Sequence, residues 1–267
     1  MNQSVKDWQL KKQYYQIPQG ISKRILKESE KAKSTFSQPY QKLIPYFTQK
    51  EELFAMCHEF FAYFPFLEEN YKMLATFEKK TSFILQQSNS KYHGLAVRDW
   101  LGKPSFKLYF NYSLEDLIVL NHEYAHGFYW QNFYTYEEQP FLSELEGYFF
   151  EYLTLTFLKE KKIITLSEEK KIENNDVQNI KEMFFKFMHG YNYINGTDHT
   201  LSNQYYLKTK QVNLEEEAIY IYSYLVNSYL KQMAKNDLEK SFYYFKRLKG
   251  EKNREEAKLI LKNLKHY

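Results

Sequence analysis

Every proline of this chain lies at or before Pro140, and glycine is scarce, at 8 of 267 residues. The second half therefore lacks the strongest helix breaker. Helices are predicted there over 176–189, 214–234, 237–248 and 252–264. Pro140 suits the first turn of a helix continuing to about Lys159. Upstream, a helix is expected from Ser22 to Lys33. Thr48 followed by Glu51 signals a capping box, opening a helix that runs to Tyr63, where Pro65 discourages continuation. A further helical stretch is expected over 67–79.

The character changes between Lys80 and Tyr112. Thr81–Leu85, His93–Trp100 and Pro104–Tyr112 are rich in aromatic and β-branched residues. Asn89-Ser90, Gly94 and Gly102-Lys103-Pro104 punctuate them. This pattern predicts a small antiparallel sheet. The expected fold class is mainly α with that sheet (α+β). One domain spans 1–267: a helical part over 1–80, the sheet over 81–112 and a second helical part over 113–267. No repeat, low-complexity tract or long linker interrupts it.

Net charge is +4, too small to indicate a nucleic-acid binder. The lysine-rich stretch Lys231–Lys265 is interspersed with glutamate and reads as a solvated helical face. The single cysteine, Cys57, excludes an intrachain disulfide. It lies in an apolar helical run and is expected to be a buried, inert thiol. The first residues carry no apolar signal core. No stretch of about 18 uncharged apolar residues predicts a membrane span. A cytoplasmic setting is expected.

The chemistry is concentrated in His122-Glu123-Tyr124-Ala125-His126. Histidines four apart on a helix project from one face and can grip one zinc ion, with Glu123 placed as general base for an activated water. A helix is signalled there. Ser113 is its expected N-cap, with Asp116 three residues on, and Leu114, Leu117, Ile118 and Ala125 form an apolar stripe. The preceding strand, Phe106–Tyr112, is expected to be an edge against which an extended peptide can pair. Two histidines and a glutamate on or near a buried face would be costly without a metal.

A catalytic zinc site takes three protein ligands and leaves one position open. Glu144 is the expected third ligand. Glu151, two helical turns on, shares its face and is expected to bond a ligand histidine. On the same helix, Glu146 would point about 160° away.

The run Phe110-Asn111-Tyr112-Ser113-Leu114-Glu115-Asp116-Leu117 leading into the His122–His126 motif resembles the oligoendopeptidase F branch of the thimet oligopeptidase family. The resemblance continues at Phe141-x-x-Glu144-x-x-Gly147-x-x-x-Glu151, where the family usually has serine in place of Gly147. It implies a zincin-like catalytic domain that cleaves peptides. Its single zinc ion is held by His122, His126 and Glu144, with Glu123 as base. Tyr220-Ile221-Tyr222-Ser223-Tyr224-Leu225 resembles the family's tyrosine-rich run, which implies Tyr220 and Tyr224 as donors to the tetrahedral oxyanion. The family histidine that precedes this run has no counterpart in Val212–Glu217; His189 and His199 are the candidate substitutes. Full members also carry a longer helical N-terminal part over the substrate channel. The expectation is therefore a minimal member, with an open cleft or one dedicated peptide substrate. Two alternatives differ in class: a non-catalytic zinc- or peptide-binding protein, and a regulatory protease that cleaves one partner protein.

Overall fold

The Thr48 amide and hydroxyl both bond the Glu52 carboxylate, at 2.7 and 2.8 Å. The expected Thr48–Glu51 capping box does not form: Thr48 pairs with Glu52, and the N-cap residue is Gln49, with no side-chain cap bond. α1 (Lys50–Tyr63) follows and buries Leu53, Cys57, Phe60 and Phe61 along one face. The structure, a computed structural model, describes residues 45–85, 94–98, 103–129, 142–195 and 214–250. The helices expected over 22–33 and 252–264 lie outside these residues, as do Pro140, Phe141 and His199. The stretch expected as helix over 67–79 is three short pieces: a 3-10 turn Pro65–Leu67, α2 (Glu68–Tyr71) and α3 (Leu74–Glu78).

The strands are β1 (Thr81–Leu85), β2 (Gly94–Arg98) and β3 (Pro104–Phe110), in the order β1-β3-β2. β2 pairs antiparallel with β3, but β1 pairs parallel to it, so the sheet is mixed rather than antiparallel. The strand expected at the edge is the central one. β3 buries Phe106, Leu108 and Phe110 on a single face. Helical side chains cover that face: Phe106 packs on Phe77 at 4.9 Å and on Tyr124 at 4.8 Å. β1 and β2 are the two edge strands of the described sheet.

The turn from β3 into α4 (Leu114–Tyr129) is tightly held. Tyr112 sits at φ 60°, a left-handed conformation that a bulky residue adopts only where its surroundings enforce it. Its carbonyl accepts the Tyr46 and Phe47 amides, and its ring packs on Phe110 at 4.3 Å. Of the capping expected of Ser113 and Asp116, the Asp116 half forms and the Ser113 hydroxyl half does not. The buried Asp116 carboxylate accepts the Asn111 amide at 3.0 Å and the Ser113 amide at 2.9 Å. The Ser113 hydroxyl has no partner among the described residues.

Leu117, Leu120, Tyr124, Ala125 and Phe128 bury α4 in the core, which makes it the element around which the others pack. Behind it runs a polar thread. Cys57 Sγ donates to Asn121 Oδ1 at 3.3 Å, and Asn121 Nδ2 donates to Thr154 Oγ1 at 3.0 Å on α5 (Leu145–Glu160). All three side chains are buried, so their pairing fixes α1, α4 and α5 in one register. Burial pushes the Cys57 thiol well above its ordinary range, as expected of an inert cysteine.

α6 (Leu166–Asn195) is longer than expected and opens on a capping box. The Thr165 amide bonds the Glu168 carboxylate at 2.8 Å, and the Glu168 amide bonds the Thr165 hydroxyl at 3.2 Å. α7 (Leu214–Ala234) and α8 (Leu238–Gly250) match their expected spans closely. α8 stacks Phe245 on Phe149 of α5 at 4.7 Å. Its buried stripe of Phe242, Phe245 and Leu248 ends in a buried lysine, Lys249, so at that residue the lysine-rich stretch is not a solvated face. The described chain is mostly helical with a small three-stranded sheet. No described helix is long and apolar enough to cross a membrane.

Candidate metal centre

α4 carries His122 and His126 one turn apart, and the Nε2 atoms of the two rings converge to 3.0 Å. Glu144 reaches both from the next helix. Its Oε2 lies 3.5 Å from His122 Nε2 and 3.6 Å from His126 Nε2. Donors held about 2.0–2.1 Å from a tetrahedral zinc stand roughly 3.3 Å from one another. The three donor atoms form a triangle of that size, so His122, His126 and Glu144 can hold one metal ion.

Glu144 is not inside the helix, as the sequence suggested. The helix expected from Pro140 starts instead at Leu145, after a turn over Leu142–Glu144, and Glu144 is its N-cap residue. This placement explains a second departure. Glu146, expected to point away, is fully buried and accepts from His126 Nδ1 at 3.2 Å. The imidazole lies between the two carboxylates, with Nε2 toward Glu144 and Nδ1 toward Glu146. His122 is held the same way. Its Nδ1 meets Glu151 Oε1 at 2.6 Å, as expected of that residue. Carboxylates at both Nδ1 atoms fix the ring orientations and leave Nε2 for a metal.

Gly147 makes room for this arrangement. A Cβ there would stand 2.3–2.6 Å from three atoms of the His122 ring. Helix α5 thus approaches the imidazole at the one residue with no side chain.

The electrostatics suit a divalent cation. Burial works against charging both imidazoles, yet the hydrogen bonds His122 makes to Glu144 and Glu151 hold it well above its ordinary range. The Glu144 charge and the bonds to Glu144 and Glu146 bring His126 to about 9. Glu144, despite burial, is held well below the usual carboxylate range, first by the His126 charge. The two Nε2 atoms, 3.0 Å apart, share one hydrogen bond, and capture of a divalent cation there would displace its proton.

Glu123 lies beside the triangle on α4 and is almost buried. Burial pushes its carboxyl up, helped by the Glu144 charge and opposed by both histidines and the Ala96 amide. The Ala96 amide belongs to β2, so that strand, not Phe106–Tyr112, borders the base. A Cβ on Gly94 would stand 2.7 Å from Glu123 Oε1, so β2 comes close to this carboxylate because it begins with glycine.

No protein-family model, curated protein or solved structure matches the chain.

Of the two tyrosines expected opposite the metal, Tyr224 packs edge-on against Tyr148 at 5.9 Å, and the Tyr148 ring stands 6.2 Å from His122. Tyr220 is half-buried one turn earlier on α7. His189 falls within α6 by its backbone, and its side chain lies outside the described residues. Sequence reasoning missed Glu146, Tyr148 and Lys249. Lys249 Nζ stands 2.5 Å from Glu146 Oε2. Its signal was present in its spacing, four residues after Phe245 and seven after Phe242, on the apolar face of α8.

Proposed function

We propose that the chain is a zinc-dependent endopeptidase of the thimet oligopeptidase type. The observation that carries the reading is the donor triangle of His122, His126 and Glu144 with the Glu123 carboxylate beside it. These side chains suit zinc, which accepts two imidazoles and a carboxylate and keeps a position open. When bound, the ion would polarise a peptide carbonyl and acidify a water molecule.

The remaining work falls to the chain's own residues. β2 offers its free edge to an extended peptide, which pairs with it by main-chain hydrogen bonds. Leu95 and Val97 are exposed on the same strand. Glu123 takes the proton of the attacking water and passes it to the leaving amine, a role suited to a carboxyl raised by burial. Glu151 and Glu146 keep the two imidazoles in their orientations. Tyr224 or Tyr220 donates to the oxyanion. The substrate is an oligopeptide or one dedicated peptide.

The test is cleavage of a quenched peptide library by zinc-loaded protein, by chelator-stripped protein and by stripped protein given zinc again. The expected outcome is activity, then its loss, then its return. The lack of a histidine in Val212–Glu217 favours a second reading, a non-catalytic zinc- or peptide-binding protein. Stoichiometric zinc with no cleavage across the library would support that reading and contradict the first.

A further inference from the structure

Lys249 is a buried lysine at the end of an apolar stripe. An apolar residue would fit beside Phe242, Phe245 and Leu248 without the cost of removing an ammonium from water. A buried ion pair is also weak grounds for stability, because apolar replacements of similar volume often do as well. The contacts of Lys249 give it another use. Its ammonium meets Glu146 Oε2 at 2.5 Å and donates to the Leu142 carbonyl at 3.2 Å. Glu146 in turn accepts from His126 Nδ1 through its other oxygen. Leu142 opens the turn that presents Glu144. One charge on α8 therefore touches the supports of two of the three donors.

We infer that Lys249 is a positioning residue of the metal centre: it holds Glu146 against His126 and pins the turn that carries Glu144. The inference rests on the metal-centre reading and not on hydrolysis. It makes α8 a working wall of the site rather than a cover. The ammonium acts at a distance from the metal. It fixes the carboxylate that orients one imidazole, and it fixes the backbone from which the third donor projects. Without it, Glu146 is a buried carboxylate held, among the described residues, by His126 alone, and the turn loses its tie to α8. Both changes loosen donors that the rest of the fold leaves in place.

The test measures zinc release to an excess of chelator, together with the visible spectrum of the cobalt-substituted protein. Both are read well below the melting temperature of every variant. Lys249→Met is expected to release zinc roughly 10–100-fold faster, the scale on which a metal site responds to loss of a supporting group, and to change the cobalt spectrum. Leu248→Ala loosens the same helix without touching Glu146. It is expected to melt earlier yet to release zinc at the wild-type rate. Equal release from Lys249→Met and wild type overturns the inference. So does equally fast release from Leu248→Ala, which would make α8 a general support. If Lys249→Met does not fold, Lys249→Gln, which keeps a donor without the charge and leaves Glu146 intact, carries the test with the same expected and contrary results. A wild type that holds no metal sinks the metal-centre reading and this inference together. A wild type that holds zinc and cleaves nothing sinks only the peptidase reading.

Discussion

Replacing Glu123 by glutamine is expected to leave zinc content and melting temperature close to wild type and to lower kcat for peptide cleavage by roughly 10²–10⁴-fold. The side chain keeps its shape, and its amide oxygen can still accept the Ala96 amide that meets Glu123 now. None of the three donor atoms changes. The burial penalty on an ionised carboxylate is removed, and the attraction of both histidines is lost with it. What disappears is the ability to take a proton from water at neutral pH. Peptide-cleavage kinetics beside metal analysis of both proteins check the prediction. Undiminished cleavage would reject Glu123 as the base. Loss of zinc alongside activity would mean that its carboxylate acts as a ligand.

Gly147→Ala is expected to cost the site its metal. By helix propensity alone, alanine would be favoured by about 1 kcal/mol. Steric overlap decides the opposite way, because the new Cβ would lie 2.3–2.6 Å from His122 Cε1, Nε2 and Nδ1. The conflict has two remedies. The His122 ring can turn away, which breaks its bond to Glu151 and withdraws Nε2 from the triangle. Alternatively, α5 can move back from α4, which carries Glu144 and Glu146 with it. Either remedy separates the donors. Overpacking of this kind costs about 1–3 kcal/mol of stability, and zinc affinity is expected to fall by 10–100-fold or more. Titration with zinc and thermal melting read the two effects separately. Gly147→Ser is expected to behave alike, although serine is the usual residue at this point in the family the sequence resembles. A Gly147→Ala protein that binds zinc as tightly as wild type would contradict the packing described here.

Much of this was legible in the chain because it is local. Pro65 ends α1 at Tyr63, the long proline-free stretch gives α7 and α8 at their expected spans, and the four-residue spacing of His122 and His126 puts both rings on one face. Partnerships between distant segments were not legible. Three strands adjacent in sequence do not announce which lies in the middle, because backbone pairing between them leaves no local signal. The capping box at Thr165 and Glu168 is readable in the sequence and starts α6 at Leu166, ahead of the expected 176. The direction of Glu146 is not readable, because it depends on where the helix begins. With Glu144 at its N-cap, two carboxylates two residues apart reach opposite nitrogens of a single imidazole. Lys249 is masked by composition: in a lysine-rich stretch its charge implies solvent, whereas its spacing puts it on the Phe242–Phe245 face.

The most direct test of the account is the zinc content of purified wild-type protein and of Glu144→Ala after loading and exhaustive dialysis. The account predicts one zinc ion per chain in wild type and its loss on dialysis from Glu144→Ala. A wild-type chain that retains no zinc, or a Glu144→Ala chain that retains it equally well, would contradict it.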